Sequence, residues 1–463
     1  MNVVLISTYE LGHQPFGLAS PAAWLRERGH NVRCLDLSRE SLDEPALREA
    51  DLVAFYVPMH TATRLAVELV HPVRQISPRA TLCFYGLYAP VNEEWLRHLG
   101  VDVILGGEFE SGLVALADRL AASPATSAQV ALNPSLQPEP VISLARQQFL
   151  VPDRSGLVSL DRYARLVLPG GGQRVVGYTE ASRGCKHRCR HCPIVPVYDG
   201  SFRVVQPEIV LEDVRRQVRA GAEHITFGDP DFFNGPRHAL GIVRALHDEL
   251  PGLTYDVTIK VEHLLARRAD LSTLRDTGCL FVTTAVESLD DAVLARLEKG
   301  HTRADFIHLV RLFRETGLNL HPTFIPFTPW TTLEKYDDFL STIESLDLVE
   351  NVAPVQLAIR LLVPSGSRLL ELEDLRPVLA PFDPSSLVHP WRHPDERVDW
   401  LQQGIEAVVK ASQSRRASRA ETFSLVRRAA RRALGERVTP EPSCDQPRIA
   451  RAAIPYLTEP WYC

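Results

Sequence analysis

The chain has 463 residues, 45% of them hydrophobic and 23% charged, with a formal net charge of -6 at pH 7. This is the make-up of a globular protein of two or three domains, long enough to bury its cores without disulfide staples. The charge excludes a strongly basic binder of polyanions, and no run of about 18 apolar residues offers a membrane span. The opening residues, MNVVLISTYELG, turn apolar at once without a basic leader, so no secretory signal is read there and a cytoplasmic location is expected. Of the 51 basic residues 46 are arginine, a bias ascribed to base composition.

From residue 1 to 122 the runs VVLIS, NVRCLDL, DLVAFYV, ATLCFYG and VDVILGG alternate with segments of helical period. One such segment, Thr61 to Val73, places Leu65, Ala66, Leu69 and Val70 on one face. Strands alternating with helices predict an α/β domain with a doubly wound parallel sheet, which takes ligands beyond the carboxyl ends of its strands. Residues 123–173 turn rich in Pro, Ser, Ala and Gln and read as a linker or wrapping segment.

A second alternating series fills 174–370. Its strands are RVVGYTEAS, HITFGD, TYDVTI, CLFVTTAV, LNLHPTFI and PVQLAIRLLV, with helices such as Pro207 to Gly221 and Arg303 to Thr316 between them. Six units are too few to close an eight-stranded barrel, so a partial (β/α)6 barrel is expected, with functional residues at strand C-termini. Residues 371–463 read as helical, then Pro-rich, ending in TEPWYC. The stretch 415–437 carries Phe423, Val426, Ala430 and Leu434 on one side of a basic amphipathic helix. It reads as a solvated face, and nucleic acid is not the expected partner.

There are eight cysteines. Cys34, Cys83 and Cys279 lie in apolar, strand-like runs and read as small buried hydrophobes. Cys185, Cys189 and Cys192 form GCKHRCRHC, directly after the first strand of the second series. Three thiolates at this spacing can hold three irons of a [4Fe-4S] cluster and leave the fourth iron open. Zinc is the alternative, since His187 or His191 could complete a Cys3His set. Lys186, Arg188 and Arg190 either favour the deprotonated thiols or are solvated loop charges.

A CxxxCxxC motif in this barrel context resembles the radical S-adenosylmethionine superfamily. The resemblance implies that S-adenosylmethionine chelates the open iron and that reduction of the cluster cleaves its sulfonium to modify a small-molecule substrate. A reductant such as ferredoxin or flavodoxin would supply the electron. Residue by residue, it implies a backbone contact of His191 to the adenine. Gly228 with Asp229 in FGDPD would meet the methionine ammonium, and Asp231 is the second choice; a helix N-cap is the other reading of that carboxylate. Glu287 and Ser288 in AVESLDD would face the ribose hydroxyls. Arg360 in LAIRLLVPSGS would suit the methionine carboxylate, or else form a rim salt bridge. Lys260 and Glu262 could pair with each other and receive no role.

The N-terminal domain resembles the cobalamin-binding domain of the cobalamin-dependent branch. The DxHxxG motif of that branch fails here, since YELGHQPFG places His13 and Gly17 four apart without the aspartate. GGEFES at 106–111 resembles the phosphate-side turn of members without a protein ligand, so cobalamin stays open as a cofactor. No GxGxxG follows the first strand, which disfavours a dinucleotide. The ending resembles radical S-adenosylmethionine proteins that finish in CCAEP or CUAEP, where U is selenocysteine. That resemblance implies a read-through codon after Cys463 and a role for Cys463 as a redox group or soft ligand; a frayed terminus is the other reading. Two further functions stand beside the main one: 3-amino-3-carboxypropyl transfer to a soft acceptor such as trivalent arsenic, and a non-catalytic iron-sulfur or zinc binding module.

Overall fold

The computed structural model describes residues 1–122, 139–436 and 454–458. The five apolar runs of the N-terminal part become parallel strands β1 (Asn2–Ser7), β2 (Asn31–Asp36), β3 (Leu52–Tyr56), β4 (Thr81–Tyr85) and β5 (Val103–Gly107). Their order is β2-β1-β3-β4-β5, with the two-residue β6 (Ile142–Ser143) added beside β5. Because side chains alternate across a strand, Ile6, Val53, Phe55 and Phe84 pack one face while Leu5, Ala54, Cys83 and Tyr85 pack the other. Cys34 and Cys83 are buried in the second of these cores, as expected. The helix His60–Ile76 buries Ala62, Ala66, Val70 and Val73. Leu65, expected on that face, is 41% exposed, because the buried stripe falls on the register of Ala62 and Ala66.

The second sheet is built from β7 (Arg165–Val167), β8 (Gln173–Thr179), β11 (His224–Phe227), β12 (Thr254–Thr258), β13 (Cys279–Glu287), β14 (Asn319–Phe324) and β15 (Tyr456–Leu457). Strands β14, β13, β12, β11 and β8 are parallel neighbours in that order, and β7 and then β15 extend the β8 edge antiparallel. Two short strands, β9 (Ser182–Gly184) and β10 (Phe202–Val204), form a separate antiparallel ribbon. Helices Pro207–Arg219 and Arg303–Thr316 cover the outer face with Val210, Val214, Phe306, Leu309, Val310 and Phe313. The latter helix starts in a capping box between Thr302 and Asp305 and stops at Gly317, whose φ of 77° ends the helical path.

The sixth unit departs from expectation. Pro354–Leu357 is a 3-10 turn, and Phe327 and Arg360 make only an isolated parallel bridge. The reason is local: the Gln356 side chain, not a strand carbonyl, accepts from Phe324 N at 2.9 Å. Helices Glu396–Ser414 and Arg419–Ala433 close the barrel beside this gap, with Phe423, Val426 and Ala430 in its core. No helix among the described residues is long and apolar enough to cross a membrane.

The chain between the two sheets binds them together. Residues 142–143 extend the first sheet and 165–167 extend the second. Arg154 donates to Gln14, to Asp213 and to Tyr178 O. At the centre of the contact Arg183, 6% exposed, meets Glu110 at 2.7 Å and Glu180 at 2.6 Å, with Glu108 at 3.6 Å. Three carboxylates around one guanidinium raise its hold on the proton, against the opposing effect of burial.

Candidate active site

The cysteine loop is the connection of the β9–β10 ribbon. Gly184, just before Cys185, has φ 72°, and a Cβ there would lie 2.4 Å from the Tyr198 ring and 2.6 Å from Ser201 O. A side chain at this turn would collide with its neighbours. Arg190 N donates to Leu297 O at 3.0 Å, and Asn234 accepts from Lys186 N while donating to Gly184 O, both at 3.2 Å. These ties fix the loop against β11 and the segment after the helix Asp291–Arg296.

Cys189 is buried, and Cys185 and Cys192 are partly buried. Burial pushes Cys185 up to about 11 and Cys192 up to about 12, and the thiols raise one another further. Such groups yield their protons to a metal rather than to neutral water. Three thiols on one loop, with no fourth protein thiol beside them among the described residues, fit the [4Fe-4S] cluster implied by the resemblance. The zinc alternative loses ground at His187, which has both ring nitrogens committed, Nδ1 to Lys260 Nζ at 3.1 Å and Nε2 to His263 Nε2 at 3.2 Å. His191 spends Nε2 on Glu287 at 3.1 Å and keeps a buried Nδ1 without a partner.

Strand ends supply the remaining polar groups. Glu287 closes β13 at a register shift and holds φ 69°, a left-handed conformation that costs a non-glycine residue about 1–3 kcal/mol. Burial opposes its ionisation, yet Lys299 Nζ at 3.3 Å and His191 outweigh that and hold the carboxyl at about 2. Asp229, after β11, accepts from Ala181 N at 2.9 Å and Ser182 Oγ at 2.5 Å. Burial raises it to about 7 in spite of these bonds. A buried carboxyl so placed is short of a cationic partner. Asp231 Oδ1 accepts from Phe233 N and so caps the 3-10 turn Phe232–Asn234, whereas the helix from Pro236 starts at Gly235 with no side-chain cap; the buried Asp231 Oδ2 has no aligned hydrogen-bond partner. Oδ2 lies 2.7 Å from His263 Nδ1, outside hydrogen-bond alignment.

His187, Asp231 and His263 offer ligand atoms within 4.8 Å of one another, a spacing that could hold a metal ion. Lys260 argues against it. An ammonium donating to His187 Nδ1 leaves the imidazole proton on Nε2, the atom that would have to ligate. Burial and the Lys260 charge also push His187 down to about 4, so the ring is neutral.

Of the other expected residues, Gly228 is packed under Tyr178, whose hydroxyl would lie 1.8 Å from a Cβ there. Its lack of a side chain therefore serves the barrel wall. Ser288 Oγ accepts from Asp290 N at 3.1 Å and lines a cavity of about 350 Å³ with Glu287, Arg303 and Lys335. Arg360 is not brought to the mouth. Its guanidinium donates to Asp399 at 2.6 Å and stacks 3.5 Å from the Trp391 ring centroid, so the rim salt bridge, not a methionine carboxylate, takes it. Cys463 lies outside the described residues. Lys260 does pair with Glu262, at 3.1 Å.

Sequence reasoning missed Lys299, His263 and His301. His301 is buried with neither ring nitrogen partnered, and burial pushes it down to about 4. One signal was available: among only five lysines in the chain, Lys260 stands just after β12 and Lys299 in the turn after the helix Asp291–Arg296.

The strand ends of the first sheet are packed by protein. His13 is buried 4.9 Å from the Tyr178 ring and pushed down to about 4 by burial, and His60 Nε2 is 2.7 Å from Ser386 O. Gly17 lies against Tyr56, whose ring would meet a Cβ at 2.1 Å. Glu108 and Glu110 of GGEFES are taken by Tyr198, Gln147 and Arg183. These residues do not fit a histidine-ligated cobalamin.

Comparison with known proteins agrees with the two-sheet division. The Radical SAM superfamily model matches residues 179–343, and the B12 binding domain model matches residues 2–117. The tRNA-2-methylthio-N(6)-dimethylallyladenosine synthase of Desulfosudis oleivorans is 27% identical over 224 residues, 46% of this chain and 46% of that protein. The hopanoid C-3 methylase of Methylococcus capsulatus is 24% identical over 340 residues, 68% of this chain and 62% of that one. The chain thus spans about half to three fifths of these curated relatives. Among solved structures, the cobalamin-dependent S-adenosylmethionine radical enzyme OxsB superposes with a TM-score of 0.68 at 15% identity, covering 89% of this chain and 67% of that one. The methyltransferase TsrM of Kitasatospora setae gives 0.60 at 20% identity, covering 75% and 72%. These two share the fold, and the B12 binding match is the support for cobalamin as a cofactor. The chain thus carries a match to the B12 binding domain ahead of a match to the Radical SAM superfamily domain.

Proposed function

We propose that the chain is an enzyme that reductively cleaves S-adenosylmethionine at a [4Fe-4S] cluster held by Cys185, Cys189 and Cys192, and so modifies a small-molecule substrate. The observation that carries this is the convergence, at the ends of parallel strands, of three thiols with a buried carboxyl short of a cation and a second carboxylate held ionised. The cluster, when bound, supplies the electron that breaks a carbon–sulfur bond of the sulfonium. The chain's own residues bind and orient. Asp229 would receive the methionine ammonium, which would return its carboxyl to the ionised form. Asp231, whose Oδ2 lies 2.7 Å from His263 Nδ1 without hydrogen-bond alignment, is the neighbouring acceptor. Glu287 would accept from the ribose hydroxyls, with Ser288 at its side, and His191 would set its backbone against the adenine while its ring fixes Glu287.

A small molecule is favoured over RNA by how the basic helix Arg419–Ala433 spends its charge. Arg427 turns to Ser341 and Glu344, and Arg419 to Glu350 O and the Tyr456 ring, so these guanidiniums serve the fold. A soluble one-electron donor of ferredoxin or flavodoxin type and a cytoplasmic setting complete the reading. The test is anaerobic reconstitution with iron and sulfide, then S-adenosylmethionine and dithionite, with nucleoside products read by mass spectrometry. 5'-Deoxyadenosine from the wild type and none from Cys185→Ala is expected; a loaded cluster that cleaves nothing would overturn the reading.

A further inference from the structure

Forty-six of the 51 basic residues are arginine and five are lysine. Of the five lysines, Lys186, Lys335 and Lys410 are exposed, while Lys260 and Lys299 are buried at 8% and 3% exposure. Both buried lysines stand at the cysteine loop, one at each end. Lys260, after β12, donates to His187, which lies between Cys185 and Cys189. Lys299 holds Glu287, and Glu287 holds His191, which precedes Cys192. The two histidines of CKHRCRHC are thus hooks, and the lysines are what they are hooked to. Between the lysines runs Gly300, at φ 74°, where a Cβ would sit 2.7 Å from Glu262 Oε2 and 3.4 Å from Lys260 Nζ.

We propose that Lys260 and Lys299 are positioning residues for the cluster, bracing its loop through His187 and His191 and making the bound cluster easier to reduce by placing two fixed positive charges beside it. The inference rests on the cluster assignment above. An oxidised [4Fe-4S] core with three thiolates is an anion that gains a further negative charge on reduction, so a buried ammonium stabilises the reduced form more. Glu262, Glu287 and Asp231 offset part of this charge, and removing either lysine leaves them unopposed.

The test uses the full chain with its cluster reconstituted anaerobically. Lys299→Met, Lys260→Met and the arginine variant of each are compared by iron and sulfide content, and by electron paramagnetic resonance of the reduced cluster at poised potentials with dithionite as reductant. At the potential where half of the wild type is reduced, the ratio of reduced to oxidised cluster should fall about tenfold in each methionine variant. An arginine variant that assembles its cluster should keep the wild-type ratio. Methionine variants that titrate with the wild type, or methionine and arginine variants that shift alike, would overturn the proposal. If a methionine variant assembles no cluster, recovery in the arginine variant supports the proposal and loss in both overturns it. A wild type that assembles no reducible cluster would instead overturn the cluster assignment, a distinguishable failure.

Discussion

The two parallel sheets present the same kind of edge, the carboxyl ends of their strands, and treat it in opposite ways. On the first sheet nearly every polar group at that edge has a protein partner. Arg183 takes Glu110, Tyr198 takes Glu108, and Arg154 takes Gln14. Glu10 Oε2 and Ser7 Oγ are the exceptions, both unpartnered; burial, with Glu180 nearby, raises the Glu10 pKa well above the ordinary value. On the second sheet the edge keeps unmatched atoms in His191 Nδ1 and both nitrogens of His301, and Asp231 Oδ2 faces His263 Nδ1 at 2.7 Å without hydrogen-bond alignment. Buried polar groups are almost always paired in a folded protein, so a cluster of unpaired ones marks a candidate ligand site. The first edge joins the domains, and the second carries the proposed site.

The sharpest way to break this comparison is to remove a thiol. Alanine at Cys185, Cys189 or Cys192 should abolish cluster absorbance and nucleoside release together, while circular dichroism stays at wild type. Next comes the joint. Arg183→Met strands three buried carboxylates and should cost about 3–5 kcal/mol, the scale for breaking a buried charge group, read as a lower unfolding midpoint in urea. Arg360→Met, at a partly exposed pair, should cost far less.

Asp229 gives a prediction in pH. Its folded pKa, about 7, lies above the unfolded value, so from roughly pH 4 to 7 the folded chain keeps a proton that the unfolded chain releases. Its contribution to stability therefore falls as pH rises through that window. Binding of S-adenosylmethionine runs the other way, because only the ionised carboxylate accepts the ammonium fully, and affinity should rise with pH up to about 7. Asp229→Asn should flatten both slopes and weaken binding about tenfold, the worth of one hydrogen bond to a charged group. Equilibrium dialysis at pH 6 and pH 8 checks this, and an unchanged slope in the variant would remove Asp229 from the site. The smallest effect is expected at the first edge. His13→Ala should leave the visible spectrum of added aquacobalamin as the wild type leaves it, whereas a variant-sensitive spectrum would show a histidine ligand that the packed edge does not present.

Much of this architecture was legible in the chain because its causes are local. Alternation and helical period place β1 to β5, β8 and β11 to β14 within a few residues, since a half-buried element must repeat its apolar positions. The cluster ligands were legible for a stronger reason, as eight consecutive residues hold all three thiols whatever the rest does. Strand ends were readable too, so Asp229 and Glu287 could be named. The sixth strand was not, because its apolar run LAIRLLV looks like a strand until Gln356 meets Phe324 N in its place.

Partners far apart in the chain were settled by the tertiary structure alone. Lys260 reaches His187 across 73 residues and Glu287 reaches His191 across 96. Strand register decides which strand ends share the mouth of a barrel, and no spacing in the chain encodes it. Arg360 shows the same limit: its chemistry suits a carboxylate, and Asp399, 39 residues on, is the carboxylate that packing brought to it. The sequence determined which groups could carry the chemistry, because residue type and short-range spacing are written in it. Which of them meet, which are spent on the fold and which are left unpartnered was decided only by packing, where burial raises the cost of every unmatched charge.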